Sequence, residues 1–284
     1  MYKSSNVELR RLTLERSGFW TVHLCYSNHV TVDGITIRNN IGGRGPSTDG
    51  VDVDSSRDVV VERCDIECND DALCLKSGRD ADGLRVNRPT ENVTIRDCTI
   101  RAGAAGITIG SETSGGIRDV LVSGLHVLAP VPIGICFKSA KTRGGTVERI
   151  DIRGLDLEGV SIPISITMNW NPSYSYAHIP DRTDKVPDYW RKLAEPVPAD
   201  KGLPHFRNVQ ISDLKATGAK QAFEVNAYAN DPIRDFTFSG IDIQSQTAGT
   251  IADAQHWTFR NTGLHTADGS RAALKNCGEM NGSP

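Results

Sequence analysis

His29-Val30-Thr31-Val32, a small break, then Ile35-Thr36-Ile37: this stretch alternates apolar and polar residues on both sides of a turn. Alternation of period two is the mark of a strand with one face buried. The same pattern stands earlier as Asn6-Val7-Glu8-Leu9 followed by Leu12-Thr13-Leu14. Further copies begin at Val59, Val93, Val120, Ile150, Val209, Phe236 and Trp257, at successive spacings of 23, 29, 34, 27, 30, 59, 27 and 21 residues. The 59 reads as two periods, with the segment around 162–166 filling the gap. Short Val/Ile/Thr runs repeating every 20–35 residues, with Gly, Asn and Asp between them, predict a solenoid. Propeller blades are longer, and the Leu/Asn signatures of leucine-rich repeats are absent. The sequence therefore predicts an all-β, single-domain, right-handed parallel β-helix over residues 1–270, one coil per repeat.

Two regions break the rhythm. Residues 169–204 are rich in Pro, Tyr and Trp and read as a long loop insertion, with a helical turn at 187–193. Loops of that length are commonly functional. Residues 271–284 are polar and Gly-rich and read as a loose tail. The coil pattern starts at residue 6 with nothing upstream to cover it, so Val7, Leu9 and Leu12 are expected to leave apolar surface for self-association.

Composition narrows the function. The chain has 284 residues, a hydrophobic fraction of 38% and a net charge of −3, which is globular and not basic enough for a nucleic-acid surface. No apolar run approaches the roughly 18 residues that would indicate a membrane span. The first twenty residues mix charges with apolar positions and do not read as a signal peptide. Seven cysteines are too few and odd in number for a disulfide scaffold, and most read as buried reduced thiols. No Cys/His grouping shows zinc spacing, so neither metal nor cofactor is expected.

The acids that could do chemistry are concentrated. Ser47-Thr48-Asp49-Gly50-Val51-Asp52 is followed 21 positions after Asp49 by Asn69-Asp70-Asp71-Ala72-Leu73-Cys74-Leu75-Lys76-Ser77. Twenty-one residues is close to one coil, so Asp49, Asp70 and Asp71 are expected to meet on neighbouring rungs. Alternation could send Asp52 elsewhere. Carboxylates crowded together cannot all ionise freely, and a protonated acid beside an ionised one is what glycoside hydrolysis requires. Asp-Gly also marks ordinary turns. An Asp-Asp pair running directly into an apolar strand one coil later favours a site.

These motifs, followed by Ile109-Gly110-Ser111-Glu112 and Phe137-Lys138, resemble glycoside hydrolase family 28, the β-helical polygalacturonase family. The resemblance runs from about residue 6 to 260 and implies an inverting hydrolase of galacturonosyl linkages in pectic polysaccharide that needs no metal. It also implies additional N-terminal sequence in full-length, typically exported members. By position, Asp70 matches the general acid, Asp49 and Asp71 the pair that activates water, and Lys138 the lysine that contacts a sugar carboxylate. Two positions depart from the pattern. Ala105 stands where the family has histidine and Cys136 where it has arginine, and neither can replace the lost hydrogen bonds or charge. Rhamnogalacturonan hydrolases of the family share these two departures, which makes that linkage the alternative substrate. A calcium-dependent pectate lyase and a non-catalytic glycan-binding β-helix are the competing classes. Among weaker candidates for substrate contact, Glu112 opens a loop facing the acids, and Arg143 could replace the missing guanidinium or equally be an exposed loop charge. Trp170, Tyr174 and Tyr176 could stack on sugar rings, and His23 sits one coil before Asp49.

Overall fold

The computed structural model describes residues 1–176, 178–179 and 185–284 of the chain. They wind into a right-handed parallel β-helix in which each coil contributes strands to three faces. The repeats seen in the sequence are its rungs. Val7, Val30, Val59, Val93, Val120, Ile150, Val209 and Phe236 pair in succession as one column of the first face. Phe238 pairs with Phe259, which carries that column on to Trp257, and the Trp257 ring stacks on Phe236 at 5.0 Å.

The residue just before this column explains the polar start of every repeat. Asn6, His29, Asp58, Asn92, Asp119, Arg149, Asn208, Asp235 and His256 all have φ between 50° and 57°. A left-handed residue at a fixed point bends each coil in the same way, and Asn and Asp tolerate that region better than most. Inside the coils, Val, Ile and Leu from all three faces stack into one continuous core. Burying each such side chain is worth roughly 1.5–3 kcal/mol relative to exposure. All seven cysteines are free thiols, five of them buried in or beside this core.

Three expectations change. Ile150 pairs directly with Val209, so the 59-residue spacing is one coil enlarged by the insertion rather than two coils. The strand Ile162–Thr167 is the third-face strand of that coil, pairing with Ile133–Lys138 before it and His205–Asn226 after it. The last residues do not form a loose tail from 271 onward. Ala273–Lys275 pairs with Ile233–Ala252, and Gly278 and Asn281 bridge to Gln255 and Thr258. Cys277 and Met280 pack against the core, and these sparse apolar residues are enough to continue the winding. A seven-residue helix, Asp80–Val86, also interrupts the coil after Lys76. It is too short to show a periodic stripe, and Gly83 weakens its helical signal.

Within the insertion, Pro172–Ser175, Asp188–Leu193 and Ala199–Gly202 are short helices. The helical turn anticipated at 187–193 is therefore present. Residues 177 and 180–184 of the insertion lie outside the described residues. In the first coil Val7 and Leu9 are half-buried against the core, whereas Leu12 is exposed.

Candidate active site

The outer face of the third sheet is the floor of the site. Its strands are Val22–Cys25, Val51–Asp54, Asp71–Lys76, Ala105–Ile109, Ile133–Lys138 and Ile162–Thr167. Because side chains alternate along a strand, every second residue points outward. One outward column runs His23, Asp52, Cys74, Thr108, Cys136, Ser165. The next begins Cys25, Asp54, Lys76. Leu75, Ile109 and Phe137 are in register, so Lys76 and Lys138 occupy this second column two rungs apart, with Gly110 between them.

That glycine is required. A Cβ at Gly110 would stand 1.9 Å from the Lys138 carbonyl oxygen, and its φ of +108° disfavours any side chain. Gly110→Ala should cost roughly 2–4 kcal/mol, combining overpacking with backbone strain. A denaturant midpoint within error of wild type would contradict this.

The acids enter from the turns that lead into these strands. The amides of Asn69 and Asp70 both donate to the Thr48 carbonyl, and the Gly50 amide donates to the Asp71 carbonyl. These bonds lock the two acidic turns one above the other. Asp49, Asp70 and Asp71 consequently line a single cavity of about 360 Å³ together with Lys76, Glu112 and Lys138. A larger hollow of about 830 Å³ near Gln244 and Arg271 has no carboxylate in its lining among the described residues.

Each acid has a different environment. Asp71 is 2% exposed; its Oδ2 accepts from Lys138 Nζ at 2.8 Å and its Oδ1 from Thr108 Oγ1 at 2.8 Å. Burial opposes the charge on Lys138 most strongly, but Asp71 together with the other groups around it prevails and holds the ammonium above its usual range. Asp70 is half-buried and accepts from Ser47 Oγ at 2.5 Å and from the Asp71 amide at 3.0 Å. Asp49 is buried, 3.6 Å from Lys76 Nζ. Burial pushes its carboxyl up to about 6, Lys76 pulls against that, and Asp71 adds repulsion.

Asp52 does not line the cavity with the other three, yet it stays beside them. It lies fully buried behind Asp49, 3.7 Å from Lys76, and burial raises its carboxyl well above the usual range. Lys76 thus sits among Asp49, Asp52 and Glu112. Glu112 is held down at about 2: burial pushes the other way, but Lys76, Arg143 and Lys138 prevail.

Two aromatic pairs wall the cavity. Phe19 stacks on Trp20 at 4.9 Å, and Trp20 lies 4.7 Å over the Lys76 ammonium. On the other side Trp170 lies 4.6 Å over Lys138 and meets Tyr174 edge-on at 5.6 Å. A cation on an indole face gains from the ring quadrupole, most of all when partly dehydrated.

Of the residues named from sequence, the structure brings Asp49, Asp70, Asp71, Lys138, Glu112, Trp170 and Tyr174 to this cavity. Tyr176 lies outside its lining, with its hydroxyl toward Asn169 at 3.4 Å. His23 does not line it either. Its ring meets the Trp20 edge at 4.8 Å, which makes it a brace for that wall.

Arg143 is neither a substrate contact nor an exposed loop charge. It is completely buried, paired with Asp80 and donating to the Ser175 carbonyl at 2.8 Å, with its Nη2 3.6 Å from Glu112. It ties the helix after Lys76 and the Trp170–Tyr174 wall to the back of Glu112. The missing arginine is therefore not replaced from there. Cys136 is buried with its thiol pushed up to about 12, chiefly by burial, so it supplies no charge at that position. Ala105 pairs with Asp71 on the adjacent rung, and Thr108 of the same strand supplies a hydrogen bond to that acid.

Lys76, Ser47, Thr108, Phe19 and Trp20 were not singled out from sequence. Lys76 had a readable signal: it ends the strand that follows the acid pair, as Lys138 ends its own.

A family model described as Glycosyl hydrolases family 28 matches residues 1–184. The chain belongs to that family. A probable polygalacturonase of Vitis vinifera is 31% identical over 258 residues, covering 90% of this chain and 47% of the relative. An endo-polygalacturonase of Pectobacterium carotovorum is 26% identical over 182 residues, 64% of this chain and 42% of the relative. The hyperthermoactive exopolygalacturonase of Thermotoga maritima superposes with a TM-score of 0.70 at 26% identity, over 98% of this chain and 53% of that one. The chain thus spans about half the length of the family 28 relatives it matches.

Proposed function

We propose that the chain carries the catalytic cavity of a glycoside hydrolase that cleaves galacturonosyl linkages in pectic polysaccharide with inversion. The observation that carries this reading is the convergence of Asp49, Asp70 and Asp71 on one cavity, with Lys138 at 2.8 Å from Asp71. Asp70, the most open of the three, gives its proton to the glycosidic oxygen as that bond breaks. Asp49 and Asp71 orient a water on the opposite side of the sugar, and Asp49 takes its proton as the oxygen joins the anomeric carbon. Lys138 and Lys76 supply the positive charge that an acidic sugar polymer needs, each backed by an indole face.

Rhamnogalacturonan is the second reading, and one observation favours it. Where the family resemblance puts an arginine, this chain has the buried Cys136, which offers no cation to a leaving galacturonate. Digestion of polygalacturonate and rhamnogalacturonan side by side separates the two. New reducing ends without ultraviolet-absorbing unsaturated ends support hydrolysis, and unsaturated ends would overturn it in favour of a lyase. Glycan binding without any cleavage would overturn it in favour of a binding module.

The Asp49 carboxyl sets a pH limb. If this group must be ionised to receive the proton, kcat/KM should climb as pH rises through about 6. Removing Lys76, the cation that holds the value down, should move the limb to higher pH, so the profile of Lys76→Met is the check. The same shift has the opposite sign for stability. The folded chain holds this proton more tightly than the unfolded chain, whose value is near 3.8, so raising pH from there through about 6 weakens folding at this group.

A further inference from the structure

Beyond the cavity the third-sheet floor continues toward the first coil, and there its two outward columns hold His23, Cys25 and Asp54. His23 and Cys25 are two residues apart on Val22–Cys25, so strand alternation turns both to the outer face. Cys25 pairs across the rung with Asp54. The Nε2 of His23 is 3.3 Å from Asp54 Oδ2, and the His nitrogen, Cys sulfur and Asp oxygen all lie within 4.8 Å of one another. The hydrolytic scheme uses none of the three.

We propose that His23, Cys25 and Asp54 form a binding site for one divalent transition metal of the zinc type, with a fourth position open to solvent. One imidazole, one thiolate and one carboxylate match a borderline-soft cation, whereas calcium and magnesium take oxygen donors. Metal–ligand bonds of about 2.0–2.3 Å place neighbouring tetrahedral ligands roughly 3.3–3.8 Å apart, so the present His23–Asp54 separation already fits.

The supporting contacts orient the donors. Asp54 Oδ1 accepts from Ser55 Oγ at 2.9 Å and the Gly78 amide at 3.2 Å, which leaves Oδ2 for the metal. The His23 ring is steadied edge-on by Trp20. Such outer contacts are what fix ligand geometry in metal sites. The side chains of His23 and Asp54 are 33% and 17% exposed, which leaves a path for entry. Without metal, burial and then Asp54 hold the Cys25 thiol up at about 11, so loading must release its proton. A sequence search for paired cysteines misses this arrangement, because the third ligand comes from the next coil.

Titrating the reduced 284-residue chain with Co²⁺ tests the site without any substrate, so a negative result leaves the hydrolytic reading untouched. One equivalent should produce a thiolate-to-cobalt charge-transfer band and tetrahedral visible absorption, both removed by added Zn²⁺. Cys25→Ser should abolish the charge-transfer band, and Asp54→Asn should weaken affinity by about tenfold or more. Cys277→Ser and His126→Ala should leave the spectrum unchanged; His126 belongs to a more exposed trio with Asp156 and Glu158 that lacks a thiol. Circular dichroism verifies that each variant is folded. Absence of the band in excess metal, or its survival in folded Cys25→Ser, would overturn the proposal.

Discussion

Asp70→Asn should reduce kcat on the preferred pectic substrate by about a thousandfold, within the usual range for loss of a positioned acid. Substrate affinity should be nearly unchanged. Asparagine has almost the same shape and can keep both local bonds: its oxygen accepts from the Asp71 amide, and its amide can donate to the Ser47 hydroxyl. What it lacks is a proton it can give up to a leaving oxygen. The melting temperature should move by no more than about 3 °C, equivalent to roughly 1 kcal/mol for a chain of this size. Initial rates, equilibrium binding and a thermal melt on the same preparation separate the possible roles. If folded Asp70→Asn retained more than a tenth of wild-type turnover, another group would have to be the acid. This substitution also divides an enzyme from a glycan-binding solenoid most sharply, because only an enzyme has turnover to lose.

The fold was more legible than the site, for a physical reason. A β-helix repeats its backbone geometry, so each coil must place an apolar residue at the same inward point and a bend-tolerant residue before it. The column from Val7 to Trp257 and the left-handed residues at Asn6, His29 and Asp58 are two aspects of that constraint. Even so, repeat spacing does not distinguish two coils from one coil with a long excursion; only the pairing of Ile150 with Val209 does.

The acid cluster was readable because its members are one rung apart. Its supports are less so. Lys76 ends its strand as Lys138 does, but only register puts it two rungs from Lys138 and beneath Trp20. Arg143 reads as either a replacement guanidinium or a loop charge because its partner Asp80 lies 63 residues earlier, in a helix too short to recognise. Both side chains take their role from partners on other coils, which pattern along the chain does not record.

Lys138→Met should be the most destabilising single change at the site. Lys138 and Asp71 are 7% and 2% exposed, and removing one member of a buried pair leaves the other charged without its partner. The expected loss is about 3–5 kcal/mol. That corresponds to a fall in melting temperature of roughly 10–15 °C for a domain of this size. Methionine keeps most of the lysine's volume, so little of the loss would come from a cavity. The sign of the lysine's own titration matters for where this is measured. Its folded value lies above the unfolded one of 10.5, so its contribution is complete below that pH and fades only as pH rises through the higher folded value. Near neutral pH the lysine side of the pair is therefore fully present. A double-mutant cycle isolates the cause: adding Asp71→Asn to Lys138→Met removes the stranded charge and should recover about 2 kcal/mol or more. Without that recovery, the lost stability would have to be assigned to packing against Trp170 instead of to the ion pair.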